Sequence, residues 1–424
     1  MSTTAEASRE FATDVVRQLR AAGYVALWAG GCVRDWLMGR MAQDFDVATN
    51  ATPEQVRTLF GKRRTLAVGQ SFGVIIVLPA TKDSTPVEVA TFRTEGAYLD
   101  GRRPSEVIFS TPEEDAQRRD FTINGMFYDP LEKQVLDFVG GRLDLDRKVL
   151  RAIGDPQERM TEDKLRMLRA VRFSATLEFS IEEQTLAAVK HMAPEMRVVS
   201  AERIAQELRK ILAHRTRVRG FQLLVETGLL EVIFPEVDTL AIAVMADTLS
   251  HLPVQASFEF ALAAILHRVP VSVHEPRTEK EAEGSVWEIT RRLKLSTEEM
   301  TGIAWLIAHL NSWNDAEQQT DAQLKRVLAH PLSHDLRGLV RAIRRAQCLP
   351  LESIQFVDDF AKRHTPEQIN PTELITGRDL IQQGLTPSPQ FKMLLDTIRD
   401  AQLNGEIATR AAALDRLREI MQAK

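Results

Sequence analysis

Apolar residues recur along this chain with two different periods, and the change from one to the other divides it. Over residues 5 to 22 they return at helical spacing, with Phe11, Val15, Val16 and Leu19 on one side, which predicts an amphipathic helix. The run Tyr24 to Trp28 ends at Gly30 and Gly31, which predicts a strand entering a sharp turn. A short helix and then a strand carrying Asp44 and Asp46 complete the stretch from Leu27 to Thr49. Thr52, Pro53 and Glu54 supply a cap, a first-position proline and a first-turn acid, so a helix should run from there to Gly61. Residues 65 to 92 read as sheet, with a β-branched run from Gly73 to Leu78 and a strand from Val87 to Phe92. Residues 93 to 110 have no clear period and read as a flexible loop. Val135 to Phe138 and the turn at Gly140 and Gly141 close an α/β region near residue 155.

Beyond that point strand signals nearly vanish. Helices are expected over 161–172, 181–193, 200–213, 216–227 and 255–268, and then from 286 to 403 with short breaks. Residues 271 to 285 read as a charged linker or exposed loop. A switch from sheet to helix marks a domain boundary, and 424 residues suffice for about three domains.

Composition changes this picture little. A 44% hydrophobic and 27% charged chain is ordinary for a soluble globular protein. No apolar run reaches the roughly 18 residues of a membrane span, and MSTTAEASRE has no signal-peptide pattern. Cys32 and Cys348 are far apart and match no metal spacing, which argues for a reducing, cytoplasmic setting and against structural zinc. A net charge of −5 neither advertises nor excludes nucleic acid, because binding depends on local patches.

The candidate chemistry starts at the turn. Glycine lets backbone approach a phosphate closely, and Arg34 follows at the start of a short helix. Asp44 and Asp46, two apart in a strand, would share one face. Two hard oxygen ligands beside an anion site suit Mg²⁺ holding a nucleoside triphosphate. Glu88 lies on the opposite face of its strand from Val87 and Val89. It is either a solvated outward residue or a third carboxylate of that site. Arg118, Arg119 and Asp120 follow an acidic helical turn, and read either as a salt-bridged helix or as a triphosphate and ribose clamp with Asn124. In the helix that Thr161 would cap, Asp163 and Arg166 are three apart, with Arg169 and Arg172 extending the stripe. That is either an exposed ion pair or a ligand-reading face.

Taken in order, GGCVRDWLMG, DFDVATNATPEQV, RRDFTINGM, GRLDLDRKVLRAI and TEDKLRMLRAVRF resemble the class II tRNA nucleotidyltransferase and bacterial poly(A) polymerase family. The likeness is strong over residues 20–215 and looser beyond. It implies an α+β chain: a polymerase-β-like head with a mixed sheet (1–155), a helical neck (156–215), and a helical body and tail that bind tRNA (216–424). It further implies CTP and ATP as substrates, Mg²⁺, and addition of CCA to tRNA. Asp44 and Asp46 then match the metal carboxylates, and Gly31 and Arg34 the phosphate site, with Gly30 beside them in the turn. Arg119 and Asp120 match the triphosphate and ribose motif, with Asn124 as a further hydrogen-bonding group. Asp163, Arg166, Arg169 and Arg172 match the base-selecting helix.

Two departures stand out. Leu266-His267-Arg268 lacks the aspartate of a phosphohydrolase module that many relatives carry, so no such activity is expected. Asn124-Gly125 replaces a common Asn-Ala. Enzymes that add only A or only CC, and poly(A) polymerases, are the alternatives. The loop between Arg93 and Arg103 argues against CC-only addition, since the resemblance implies that CC-only enzymes lack it. The brief Arg63-Arg64 pair argues against a poly(A) polymerase.

Overall fold

The computed structural model describes residues 3–42, 44–69, 73–80, 83–95 and 107–422. The chain divides into two units, Met1–Ile211 with Arg219–Pro235, and Leu212–Val218 with Glu236–Lys424.

The first unit is built on a seven-stranded mixed sheet. Helix α1 (Thr3–Ala21) buries Val15, Val16 and Leu19 completely and packs on strands β1 (Ala26–Ala29) and β2 (Asp46–Thr49). Each such side chain contributes about 1.5–3 kcal/mol of apolar burial. Helix α2 (Gly31–Leu37) lies between those two strands in sequence, and α3 (Pro53–Phe60) follows β2. Thr52 and Gln55 form a reciprocal capping box at the start of α3, with Pro53 at its first position. Strands β3 (Thr65–Gly69), β4 (Val74–Val77) and β5 (Val87–Thr91) complete one edge, so the sheet expected over 65–92 is present.

The ends of the expected loop are ordered. β6 (Arg93–Glu95) and β7 (Val107–Phe109) pair antiparallel in their own two-stranded sheet, while Arg102 and Arg103 lie outside the described residues. Val107-Ile-Phe109 is an apolar run too short to stand out against the Gly- and Arg-rich sequence beside it. Helix α4 (Pro112–Gln117) precedes β8 (Phe127–Asp129) and β9 (Gln134–Leu136).

The main sheet runs β3-β4-β5-β2-β1-β8-β9, and β2 and β5 are its one parallel pair. That pairing sets Asp46 beside Glu88, while β1 sets Ala29 opposite Asp46. Under the sheet Leu27, Ala29, Ala48, Phe92, Ala116 and Phe127 form a core, with Phe92 edge-on to Phe127.

Helices α5 (Gly141–Arg147), α6 (Pro156–Glu162), α7 (Leu165–Leu177), α8 (Glu183–Met192) and α9 (Ala201–Leu212) follow. The helix expected to begin at a Thr161 cap is in fact two. Asp155 caps α6, accepting from the Glu158 N–H, with Pro156 at its first position. Thr161 falls in the last turn of α6, where its hydroxyl donates to the Gln157 carbonyl. An Asp-Pro start six residues upstream outcompetes a Thr-Glu-Asp one, because proline there gives up no helical hydrogen bond.

The second unit is helical throughout its described part. Helix Phe258–Leu266 is apolar except for Glu259 in its first turn, and every other residue of it is buried, as a helix with almost no polar face must be. Helices Ile242–Ser250 and Ser333–Ala346 pack together, as do Phe258–Leu266 and Thr297–Ala308. Near the C-terminus Leu380, Leu394, Ile398, Ala413 and Leu417 form a separate small core. The segment expected as a charged linker is tied down, because the Trp287 indole N–H donates to the Ser272 carbonyl at 3.0 Å.

Candidate active site

The site begins where β1 runs out. Gly30 has φ +72°, and a Cβ there would stand 3.1 Å from Arg119 Nη1. Both facts favour glycine: the backbone conformation strains any other residue, and a Cβ would push the Arg119 guanidinium aside. Arg34, one turn into α2, is buried. Its Nη1 donates to Asn124 Oδ1 at 2.8 Å and its Nε to Asp35 Oδ1 at 2.9 Å.

Asp46 opens β2, but Asp44 does not share that strand. It lies in a bend before it, so strand periodicity does not align the two carboxylates as expected. Asp46 keeps an open face, yet most of its surroundings are protein. That burial, then the neighbouring Glu88 carboxylate, and more weakly Asp44, push its carboxyl up to about 6 against the pull of Arg119. Among the described residues no salt bridge reaches Asp44, Asp46 or Glu88. Nor does any group of three or more acidic, histidine or cysteine side chains converge at metal-binding distance among them. The structure thus sets Asp46 beside Glu88 without drawing all three carboxylates into one cluster. Beneath them, burial and then the charge of Asp46 push the Cys32 thiol up to about 12, which leaves it inert.

The arginines after α4 are not on the helix, which ends at Gln117. Asp115, almost fully buried, holds both: Arg118 Nη2 at 2.7 Å and Arg119 Nη2 at 2.9 Å. Burial alone would raise the Asp115 carboxyl, but the two guanidiniums outweigh it and hold it below the usual range. Asp120 is buried as well. Its Oδ1 accepts from Asn124 Nδ2 at 3.1 Å, and its Oδ2 accepts from Arg169 Nε at 2.8 Å and Nη2 at 2.5 Å. Burial again opposes the charge, and Arg169 with the Asn124 hydrogen bond overrides it, taking the carboxyl down to about 2.

Asp163 lies between α6 and α7 and caps α7, accepting from the Leu165 N–H at 3.1 Å. The expected ion pair between Asp163 and Arg166 is not made. Asp163 pairs with Arg203 of α9, and Arg166 pairs with Glu162. Arg172 pairs with Glu207 of α9 and lies 3.8 Å above the Phe173 ring.

One cleft of about 500 Å³ brings together Gly30, Gly31, Arg34, Asp46, Arg119, Asp120, Asn124, Asp163, Arg166 and Arg169. That volume suits a small-molecule ligand. Arg118 and Phe173 also line it; Asp44, Glu88 and Arg172 do not. Sequence reasoning missed Glu162, Arg203 and Glu207. The only trace of the last two is their spacing of four on an amphipathic helix, which places them on one face without saying what that face meets. A row of guanidiniums, an unpaired carboxylate and a paired Asp–Arg edge in one cleft fit a phosphate-bearing nucleotide whose base is read by hydrogen bonds.

Comparison with known proteins agrees. Residues 26–151 match the poly A polymerase head domain, and residues 178–240 match the domain described as the probable RNA and SrmB-binding site of polymerase A. The CCA-adding enzyme of Streptococcus mutans is 33% identical over 416 residues, 96% of both chains. That of Bacillus subtilis is 47% identical over 221 residues, 52% of this chain and 54% of its own. The crystal structure of the Bacillus stearothermophilus CCA-adding enzyme in complex with CTP superposes with a TM-score of 0.76 at 28% identity, covering 97% of this chain and 98% of that one. With a mixed-sheet head, a helical remainder and full-length likeness to such enzymes, the chain belongs to the class II tRNA nucleotidyltransferase and poly(A) polymerase family that includes the CCA-adding enzymes.

Proposed function

We propose that this protein adds C, C and A to the 3′ end of tRNA, using CTP and ATP and releasing pyrophosphate. One observation carries the reading: Asp46, the phosphate-type cations and the Asp163–Arg166 edge share a single cleft. In the reaction a tRNA 3′-hydroxyl attacks the α-phosphorus of the nucleotide, and pyrophosphate leaves. Catalysis of phosphoryl transfer is mainly positioning and charge stabilisation.

Arg34 and Arg119 hold the triphosphate, with Gly30 and Gly31 allowing close approach. Asp120, held by Asn124 and Arg169, fixes the wall beside the ribose. Mg²⁺ fits the carboxylate end, because Asp46 stands beside Glu88 with the charge of Asp44 acting on it, and among the described residues no salt bridge neutralises the three. Asp46 and Asp44 would hold it, with Glu88 as the adjoining carboxylate. When bound, the metal lowers the pKa of the attacking hydroxyl and neutralises charge on the leaving group.

Base choice needs no template strand. Cytosine and adenine offer an exocyclic amino donor beside a ring-nitrogen acceptor. Asp163 accepts from the first and Arg166 donates to the second. Uracil and guanine reverse that order and set like groups face to face. Arg169 braces this wall through Asp120, and Arg172 through Glu207. On this reading residues 1–155 are the catalytic head, 156–215 the neck that selects the base, and 216–424 the body and tail that bind tRNA, in the cytoplasm.

The test is to incubate purified protein with tRNA lacking its 3′ CCA, Mg²⁺, and labelled CTP, ATP or both. Products three nucleotides longer that require both nucleotides are expected. Addition of A only to tRNA ending in CC, or a long A tail, would replace this reading with an A-adding enzyme or a poly(A) polymerase.

A further inference from the structure

Both proposed base-reading side chains are themselves held, and counting their remaining hydrogen-bonding capacity is informative. Asp163 Oδ1 accepts from the Leu165 N–H at 3.1 Å and from Arg203 Nη1 at 3.1 Å. Each carboxylate oxygen has two in-plane lone pairs, so Oδ1 is filled. Asp163 Oδ2 accepts from Arg203 Nη2 at 2.6 Å, which leaves it one lone pair. Arg166 Nη1 spends both protons, on Glu162 Oε2 and on the Arg159 carbonyl. Its Nη2 gives one proton to the Arg118 carbonyl at 3.1 Å. One Nη2 proton and the Nε proton remain. The reading edge is thereby reduced to one acceptor on Asp163 and two donors on Arg166.

We propose that Arg203 is a positioning residue for base selection: by gripping both oxygens of Asp163 it leaves a single acceptor, aimed at an exocyclic amino group. This rests on the reading of Asp163 and Arg166 as the base-selecting pair. The reduced edge suits cytosine, whose amino group, N3 and O2 present one donor and two acceptors in a row. It also suits adenine, which uses the amino group and N1. Uracil sets its O4 against the single Asp163 acceptor. Without Arg203 the carboxylate regains rotational freedom and its filled lone pairs, and can then accept from uracil N3–H or guanine N1–H. Arg203 thus excludes wrong bases by removing options rather than by adding a contact to the right one. Glu162 does the same for Arg166.

The experiment measures kcat/KM for CTP and UTP on tRNA lacking CCA, and for ATP and GTP on tRNA ending in CC, with the full chain and Mg²⁺. Arg203→Ala should lower both the CTP/UTP and ATP/GTP ratios by about tenfold, the scale of one hydrogen bond. Arg203→Lys should fall between, since an ammonium cannot bridge both oxygens in a fork. Equal slowing of all four nucleotides, with the ratios unchanged, overturns the proposal and leaves Arg203 a structural residue. Should the alanine form fail to fold, the lysine form carries the test: a reduced ratio supports the proposal, and a wild-type ratio overturns it. Failure of the wild-type protein itself to prefer CTP over UTP overturns the base-reading pair on which the proposal stands, a result distinct from failure at Arg203 alone.

Discussion

The two ends of the cleft handle charge in opposite ways. At the sheet end Asp46 stands beside Glu88, with Asp44 in the bend before the strand; among the described residues no salt bridge reaches any of the three, and Asp46 is driven up to about 6. At the helical end every charged group is matched: Asp163 with Arg203, Arg166 with Glu162, Arg169 with Asp120, Arg172 with Glu207. An uncompensated cluster costs stability and invites an external cation. A matched one fixes side-chain direction, which is what discrimination between similar bases needs. On the proposed function, affinity for a metal and selectivity for a base call for opposite local electrostatics within one fold.

The sharpest way to break that contrast is at Asp46. Asp46→Asn should lower transfer of both CTP and ATP by on the order of 10³-fold, measured as label incorporated into tRNA. The same change should raise the thermal midpoint measured without metal. The folded carboxyl lies above its unfolded value, so its ionised form opposes folding at neutral pH. A lower midpoint would mean that the carboxylates are not in conflict.

Asp163→Ala, at the matched end, should reduce the CTP/UTP ratio by roughly 10- to 100-fold while leaving tRNA binding nearly intact, as gel shift and competition would show. Equal loss for all nucleotides would erase the distinction between the two ends.

A smaller effect separates them by pH. The Asp120 carboxyl sits near 2 when folded, below its unfolded value. Its pairing therefore adds stability that is complete above about pH 4 and is lost as pH falls through 2. Denaturant titrations should show wild-type stability falling by about 2 kcal/mol more than that of Asp120→Asn over that window.

The smallest effect belongs to the backbone between the ends. Gly30→Ala should cost about 1 kcal/mol in unfolding experiments and raise KM for CTP and ATP alike, because it strains φ and displaces Arg119. A change confined to one nucleotide would place Gly30 at the base instead.

What could be read in advance follows the range of each interaction. The turn at Gly30, the Thr52 cap and the strand faces of Val87, Glu88 and Val89 are local patterns, and the structure holds all three. Spacing alone puts Asp44 and Asp163 on regular elements. In the fold each sits just before its element, where a polar side chain serves a bend or a cap. Arg203 and Glu207 were invisible as site residues. Their partners lie far away in sequence, and only the packing of α9 against α7 brings them together. Arg102 and Arg103, in the loop that argues against CC-only addition, lie outside the described residues.

The pairing of Asp46 with Glu88 across β2 and β5 has a consequence for how the chain can vary. Side chains alternate along a strand, so a slip of β2 by one residue would turn Asp46 toward the apolar layer that holds Val47 and carry Val47 to the face of Asp46. Such a misaligned sheet would be expelled by its own buried charge before it could misincorporate anything. The register that sets Asp46 beside Glu88 is therefore held by the buried residues next to them, Val47 and Val89. Substitutions at Val47 or Val89, out of reach of any nucleotide, should be screened by selection as strictly as those in the cleft.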